Sequence, residues 1–215
     1  MWAAEITTFV RDSGLCSGMN MYEMDLPPMQ PAMPQGFVYK PDLVSEVEER
    51  QLVEQIRELP LKELEFHGYT ARRRTMSFGW HYDFGRSRLD GADAIPAWLL
   101  PLRAAAADLA GLAPEQLPHA LVLEYGPGST IGWHRDKPVF GDVIGISLLS
   151  PCRFRLRRKA GARWERAALT LEPRSGYVLR GPSRTEWEHS IPAVDTLRYS
   201  ITFRSLAARP PAGQR

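Results

Sequence analysis

At 215 residues and 24.3 kDa the chain is sized for one domain with a full core. Its 44% hydrophobic and 24% charged residues exclude disordered and fibrous classes. With no run of about 20 apolar residues and no basic-then-apolar leader, no membrane association and a cytoplasmic address are expected. The net charge of +2 hides a gradient: residues 1–70 carry 5 Lys+Arg against 12 Asp+Glu, residues 71–150 carry 8 against 8, and residues 151–215 carry 14 against 5. The C-terminal third is therefore a basic module, mostly arginine, of the kind that suits phosphate oxygens.

Residues 1–35 are rich in Met and Pro without a sustained period and are expected to form a tail, as are residues 207–215. One domain over 36–206 is expected between them, with helical support and a lid in 36–120 and the β core in 121–206. Phe37-Val38-Tyr39 reads as a short strand. Ser45 with Glu48 three residues on forms a capping box, and Leu43, Val44, Val47, Leu52, Val53, Ile56 and Leu59 predict an apolar stripe on a helix that Pro60 stops. A second helix is predicted from about Pro96 to Leu109, with Gly111 just past its end. Eight short strands are then predicted at 121–126, 131–135, 143–149, 152–158, 167–171, 176–180, 187–190 and 197–204. Such a series argues for an α+β, mainly β protein, a sandwich or jelly roll whose N-terminal helices pack on one sheet. In Arg153-Phe154-Arg155-Leu156-Arg157 the alternation turns Phe154 and Leu156 inward and leaves three guanidinium groups on the outer face. Cys16 and Cys152 are too few for a disulfide framework and read as free thiols.

Chemistry concentrates in two places. His134 and Asp136 are two apart on a predicted strand and leave one face together, while His189 comes from another strand. Two imidazoles and one carboxylate fill three sites of a metal and leave the rest open, the arrangement of non-haem Fe(II) oxygenases. On the last strand, Arg198 and Arg204 are six apart and share a face with Ser200 and Thr202. A guanidinium directed into an apolar interior calls for an anion, and a dicarboxylate would supply one.

With His134-Arg135-Asp136, the distant His189 and Arg198-Tyr199-Ser200-Ile201-Thr202-Phe203-Arg204 in place, the sequence resembles the AlkB family of Fe(II)- and 2-oxoglutarate-dependent dioxygenases over about residues 36–206. The resemblance extends to Leu123-Glu124-Tyr125-Gly126-Pro127-Gly128 before the first ligands and to Glu188-His189-Ser190. It implies a double-stranded β-helix with a nucleotide-recognition lid. It also implies oxidative dealkylation of N-alkylated nucleobases in DNA or RNA, releasing aldehyde, succinate and CO2. Carried onto this sequence, His134, Asp136 and His189 would hold Fe(II). Arg198, helped by the Tyr125 hydroxyl and by Ser200, would pair with 2-oxoglutarate, and Arg204 would steady Asp136 or the proximal carboxylate. Dioxygen is the other cosubstrate.

The sequence departs from the family at three positions. Leu123 and Ser200 stand where asparagines on the cosubstrate side are usual, and Pro138 stands where the nucleic-acid repair members have a second aspartate. Residues 72–86 resemble the lid, where basic residues beside Phe78, Trp80, His81 and Tyr82 suit extraction and stacking of a base. Arg74, Trp80 and Tyr82 are the expected substrate contacts. Arg72, Arg73, Arg74 and Arg155 are the expected sources of salt-dependent binding to nucleic acid. His67 and His119 read as surface or capping residues. Two further readings fit the same residues, an oxygenase acting on a protein or small molecule and a silent β-barrel that binds nucleic acid. Nothing in the sequence demands a protein partner, and a monomer is expected.

Overall fold

The computed structural model describes residues 32–66, 69–83 and 88–208, and within these the side chains of residues 64–66, 69–72, 81–83 and 88–89 fall outside the description. In chain order the elements are β1 (Phe37–Lys40), α1 (Glu46–Arg57), β2 (Lys62–Phe66), β3 (Tyr69–Phe78), β4 (Trp80–Asp83), β5 (Arg88–Gly91), α2 (Leu100–Ala110), β6 (His119–Tyr125), β7 (Ile131–His134), β8 (Phe140–Leu148), β9 (Cys152–Ala160), β10 (Arg163–Leu171), β11 (Gly176–Leu179), the single turn α3 (Pro182–Thr185), β12 (Glu188–Ile191) and β13 (Arg198–Leu206). Each of the eight strands expected after residue 120 is present, with ends shifted by a few residues. The expected tails at 1–31 and 209–215, with Cys16, lie outside the described residues, as does His67. Residues 32–35 already join the domain: Pro34 is buried, and the Ser183 amide donates to the Gln35 carbonyl at 3.0 Å.

The helices follow their local signals. In α1, Ser45 Oγ accepts from the Glu48 amide and the Glu48 carboxylate accepts from the Ser45 amide, closing the capping box. Leu52, Val53 and Ile56 are buried on its inner face. Val47, expected in that stripe, is 54% exposed. Nine residues before Ile56, it falls on the opposite side of a helix that turns 100° per residue. A turn of tighter helix, Ala97–Leu99, leads into α2, and Gly111 ends it in the left-handed conformation that glycine adopts without strain.

Two antiparallel sheets face each other. The seven-stranded sheet runs β1-β11-β8-β13-β6-β3-β2 and the four-stranded sheet runs β10-β9-β12-β7, with β4 and β5 as a separate hairpin. The expected division at residue 120 is thus crossed by the large sheet, because β1, β2 and β3 are strands of it. Alternation along β13 sorts the interior into two cores. Tyr199, Ile201 and Phe203 pack with α1 and α2 on the helix side, together with Val122, Ile144, Ile146 and Leu148. Between the sheets, Leu123, Val143, Phe154, Leu156, Tyr177 and Leu179 form the second core. Burying each large side chain of this kind contributes roughly 1.5–3 kcal/mol. The same alternation sends Arg198, Ser200, Thr202 and Arg204 into the space between the sheets. Among the described residues, no helix is long and apolar enough to cross a membrane.

Candidate active site

Strand register brings the three metal-type ligands together. His134 on β7 and His189 on β12 are paired directly, and their rings lie 4.2 Å apart. Asp136, expected to extend the strand of His134, lies two residues past its end, where the chain leaves β7. One ligand atom from each of His134, Asp136 and His189 falls within 4.8 Å of the others. His134 Nδ1 donates to the Gly132 carbonyl at 2.9 Å, which leaves Nε2 bare and fixes the ring. Arg204 grips one carboxylate oxygen of Asp136, through Nε at 2.8 Å and Nη2 at 2.7 Å. The other oxygen, Oδ2, is buried without a hydrogen-bond partner and sits 3.6 Å from His189 Nε2.

Charge states follow from these surroundings. Burial pushes His189 down to about 3, with the adjacent His134 adding to the effect against the pull of Asp136. Burial also lowers His134. Burial would raise Asp136, but Arg204, His189 and His134 together hold its carboxyl far below the usual range. The result is two neutral imidazoles around one carboxylate, the protonation states a divalent metal requires. An orphaned carboxylate oxygen aimed at two bare imidazole nitrogens fits a metal ion.

A second polar feature lies farther along the interior face of the large sheet. Arg198 is 1% exposed, and only its Nη2 has a partner, the Ser147 hydroxyl at 3.0 Å. Its Nε and Nη1 are buried without one. A guanidinium in that state costs free energy until an anion meets it. Its carbon lies 4.8 Å from the centre of the Tyr125 ring, so Tyr125 meets Arg198 with its face. Ser147 is the hydroxyl partner of Arg198, while Ser200 stands beside Ser147 in the register with Leu123 on its far side.

Between the two lies a residue that the sequence did not single out. Tyr177, Gly145, Thr202 and Leu121 form one row across β11, β8, β13 and β6. A Cβ at Gly145 would meet the Tyr177 ring at 2.3 Å and its hydroxyl at 2.5 Å, so the phenol lies flat over this glycine and reaches toward Thr202. On one side the next row is Ser147–Ser200, leading to Arg198; on the other it is Val143–Arg204, leading to Asp136. The Tyr177 hydroxyl therefore sits between the anion end and the metal end, and burial with Asp136 nearby drives its pKa well up.

The expected substrate contacts separate. Arg74 pairs in register with Glu124 and binds its carboxylate at 2.7 and 2.8 Å. Glu124 lies on the helix face of β6, so Arg74 points away from the metal ligands, a correction that follows from strand parity. Its neighbour Arg73 pairs with Tyr125 and takes the inner face, donating to the Thr130 carbonyl at 3.1 Å with its Nε buried and unpartnered. Trp80 opens the β4–β5 hairpin and is partly buried. The Tyr82 side chain lies outside the described residues, as does that of Arg72. Arg155, expected to be available to nucleic acid, donates to Ser190 Oγ at 3.1 Å. His119 is 2% exposed, its ring 4.7 Å from that of Phe140 and its Nδ1 3.4 Å from Arg204 Nη1, so it belongs to the interior and not to the surface. Arg184 is buried and donates to the Lys137, Phe140 and Gly141 carbonyls, which pins the loop that follows Asp136.

Comparison with known proteins agrees with this geometry. Residues 36–204 match the sequence model of the 2OG-Fe(II) oxygenase superfamily. The chain is 26% identical over 196 aligned residues to the alkylated DNA repair protein ALKBH8 homolog of Arabidopsis thaliana, covering 79% of this chain and 55% of that relative. It thus spans about half the length of the curated relative it matches. Among solved structures, OsALKBH1 superposes with a TM-score of 0.65 at 16% identity, over 81% of this chain and 98% of that one. A prolyl-4-hydroxylase of Pseudomonas putida superposes with a TM-score of 0.55 at 13% identity, over 80% and 93%. At these identities the likeness is one of fold.

Proposed function

The chain belongs to the 2OG-Fe(II) oxygenase superfamily, and from that premise we propose that it removes alkyl groups oxidatively from nucleobases in DNA or RNA. It is an AlkB-like, 2-oxoglutarate-dependent non-haem iron dioxygenase, of a family that uses Fe(II), 2-oxoglutarate and O2. The observation that carries the assignment of roles is a pair of unmet demands on one interior face: Asp136 Oδ2 and the Nε and Nη1 of Arg198 are all buried and unpartnered.

In this reading His134, Asp136 and His189 hold Fe(II). Fe(II) bound there with 2-oxoglutarate and O2 would supply the oxidative chemistry that takes the N-alkyl group off as aldehyde, with succinate and CO2 as the other products. The remaining work belongs to the chain. Arg204 orients Asp136 so that one oxygen stays free for the metal. Gly132, through its carbonyl, holds the His134 tautomer. Arg198 neutralises the far carboxylate of 2-oxoglutarate, with Ser147 fixing the guanidinium from behind and Tyr125 covering its face. Burial between two sheets keeps water from the Arg198 end, while His134 and Asp136 at the metal end are partly exposed. A nucleobase substrate is supported by the name of the Arabidopsis relative and by the inward-facing Arg73 beside Tyr125.

The test is succinate formation on adding O2 to protein loaded anaerobically with Fe(II) and 2-oxoglutarate, with and without an oligonucleotide carrying N1-methyladenine or N3-methylcytosine. Succinate that rises with the methylated oligonucleotide and vanishes in His134→Ala is the expected outcome. Succinate indifferent to the oligonucleotide would leave the oxygenase standing and overturn the nucleobase substrate.

A further inference from the structure

The four-stranded sheet has an outer face that the proposed chemistry does not use. Register sets Arg153 opposite Thr170, Arg155 opposite Ala168, Arg157 opposite Arg166 and Lys159 opposite Trp164, while Glu188 and Ser190 of β12 lie beside Arg157 and Arg155. Across these rows stand five cations and one acid. Two tryptophans are threaded between them. The guanidinium groups of Arg155 and Arg157 lie 5.0 and 4.4 Å from the Trp133 ring, and Arg157 also lies 4.5 Å from Trp164. The one acid, Glu188, is bound to Arg157 at 2.6 Å. Arg153, Lys159 and Arg166 are exposed and have no ion-pair partner among the described residues.

Such a surface differs from a merely solvated charged face. A solvated face mixes signs and keeps large aromatics off it, whereas here the sheet presents five cations to one acid and a 40% exposed indole, Trp164. Arg157 lies over both indole rings and Arg155 over that of Trp133, contacts that favour these ring positions before any ligand arrives. Arg153 to Lys159 spans about 20 Å of strand. Cations in a row together with aromatic planes are the two elements that bind single-stranded nucleic acid without regard to sequence, through phosphates and stacked bases. The face also communicates with the metal ligands by a short path. Trp133 and His134 are consecutive, one outward and one inward, on β7, which is the edge strand of its sheet. A polynucleotide lying over β10 and β9 has β12 and β7 to cross, at about 4.8 Å between strands, before it reaches the sheet edge beside the ligands.

The cleft of about 440 Å³ near the N-terminal segment is a weaker candidate, because its Arg158 is already matched by Glu165 and Glu186. We infer that the outer face of the β10-β9-β12-β7 sheet is a docking surface for the single-stranded nucleic acid flanking the reactive nucleotide. The inference rests on the nucleobase reading for its biological sense, but it concerns binding and can be measured without turnover.

The experiment is fluorescence anisotropy of a labelled, unmethylated 15-nucleotide single strand with the full, metal-free chain across a salt series. The double variant Arg153→Glu, Arg166→Glu is expected to weaken binding at least tenfold and to flatten the log-affinity against log-salt slope by about 0.7 for each contact removed. Arg153→Lys, Arg166→Lys should bind as the parent does. Trp164→Ala should cost about tenfold, at the low end of stacking losses for one base. Equal binding by the parent and the charge-reversed variant overturns the inference. So does anionic-vesicle binding with no oligonucleotide binding. If the parent makes no succinate on methylated strands while the charge-reversed pair still loses oligonucleotide binding, the dealkylation reading falls and the docking surface stands.

Discussion

The outer face of the four-stranded sheet and the inner face of the seven-stranded sheet put arginine to opposite uses. On the outer face of β9, Arg155 and Arg157 are each satisfied at once, by Ser190, by Glu188 and by the Trp133 ring, and water reaches them. Across the interior, Arg204 is fully engaged by Asp136, while Arg198, at 1% exposure, is left with two empty donors. A partly hydrated guanidinium with partners contributes modestly to stability; a dry one held by a single hydroxyl is a cost that the folded chain carries until a carboxylate arrives. The contrast separates arginines that build the scaffold from arginines kept unsatisfied for a ligand.

The sharpest way to break that contrast is to remove the acid that divides the interior pair. Asp136→Ala should abolish succinate formation and weaken Co(II) or Mn(II) binding by well over the 10–100-fold typical of losing an outer partner of a metal ligand. Arg204→Leu should fall within that 10–100-fold range, since it removes an orienting contact and leaves the three ligands. Calorimetric titration of the metal into the apo protein reads both. Equal affinities for the parent and Asp136→Ala would place the metal elsewhere.

Arg198→Met separates function from stability. Loss of the guanidinium should cost about 2–5 kcal/mol of 2-oxoglutarate binding, the usual range for truncating one partner of a buried charged pair. In the absence of cosubstrate the same variant should unfold at a higher temperature than the parent, by about 1–3 kcal/mol of stability, because an uncompensated buried charge has been replaced by an apolar chain. Thermal melts with and without 2-oxoglutarate give both numbers. A lower melting temperature without cosubstrate would mean that Ser147 and Tyr125 already compensate the Arg198 charge in the free protein.

Acid should act on the metal-free centre in a defined direction. His189 is held neutral down to about 3 when folded but takes a proton near 6.5 when unfolded, so below 6.5 the unfolded chain binds more protons. Stability present above 6.5 is then lost as the pH falls from 6.5 toward 3, by up to about 1.4 kcal/mol per pH unit from this one group. The lowered carboxyl of Asp136 adds loss in the same direction at still lower pH. Urea midpoints measured on apo protein from pH 7 to 4 check the slope, which should shrink in His189→Gln.

How much of this was readable from residues alone depended on whether strand parity was enough. Parity within β13 and β9 placed Arg198, Ser200 and Arg204 inward and Arg155 and Arg157 outward, since alternation is a property of one strand. Choosing between Arg73 and Arg74 needed the pairing of β3 with β6, which no local pattern encodes, and a shift at Glu63/Leu64 in the neighbouring pair shows how easily register slides there. Ser147 escaped notice because it is an unremarked hydroxyl until Arg198 is brought across from β13. The capping box gave the start of α1, yet the stripe overreached at Val47, where the apolar residue is simply on the wet side.

The smallest expected effect concerns the row that joins the two interior arginines. Tyr177 lies over Gly145 because that position has no Cβ to hold the ring off, and its hydroxyl ends between the Arg198 end and the Asp136 end of the interior face. Tyr177→Phe keeps the ring packed against Phe154 at 4.9 Å and removes only the donor. It should raise the KM for 2-oxoglutarate about tenfold, the worth of one hydrogen bond to a charged group, with little change in melting temperature. Gly145→Ala should do more to the fold and no less to KM, because the new methyl meets a ring carbon at 2.3 Å and must push the phenol out of its row. In the double variant Gly145→Ala, Tyr177→Phe the KM effects should not add, since the alanine acts on binding through the same hydroxyl. Additive effects would mean that the Tyr177 hydroxyl does not reach the cosubstrate and that the row serves packing alone.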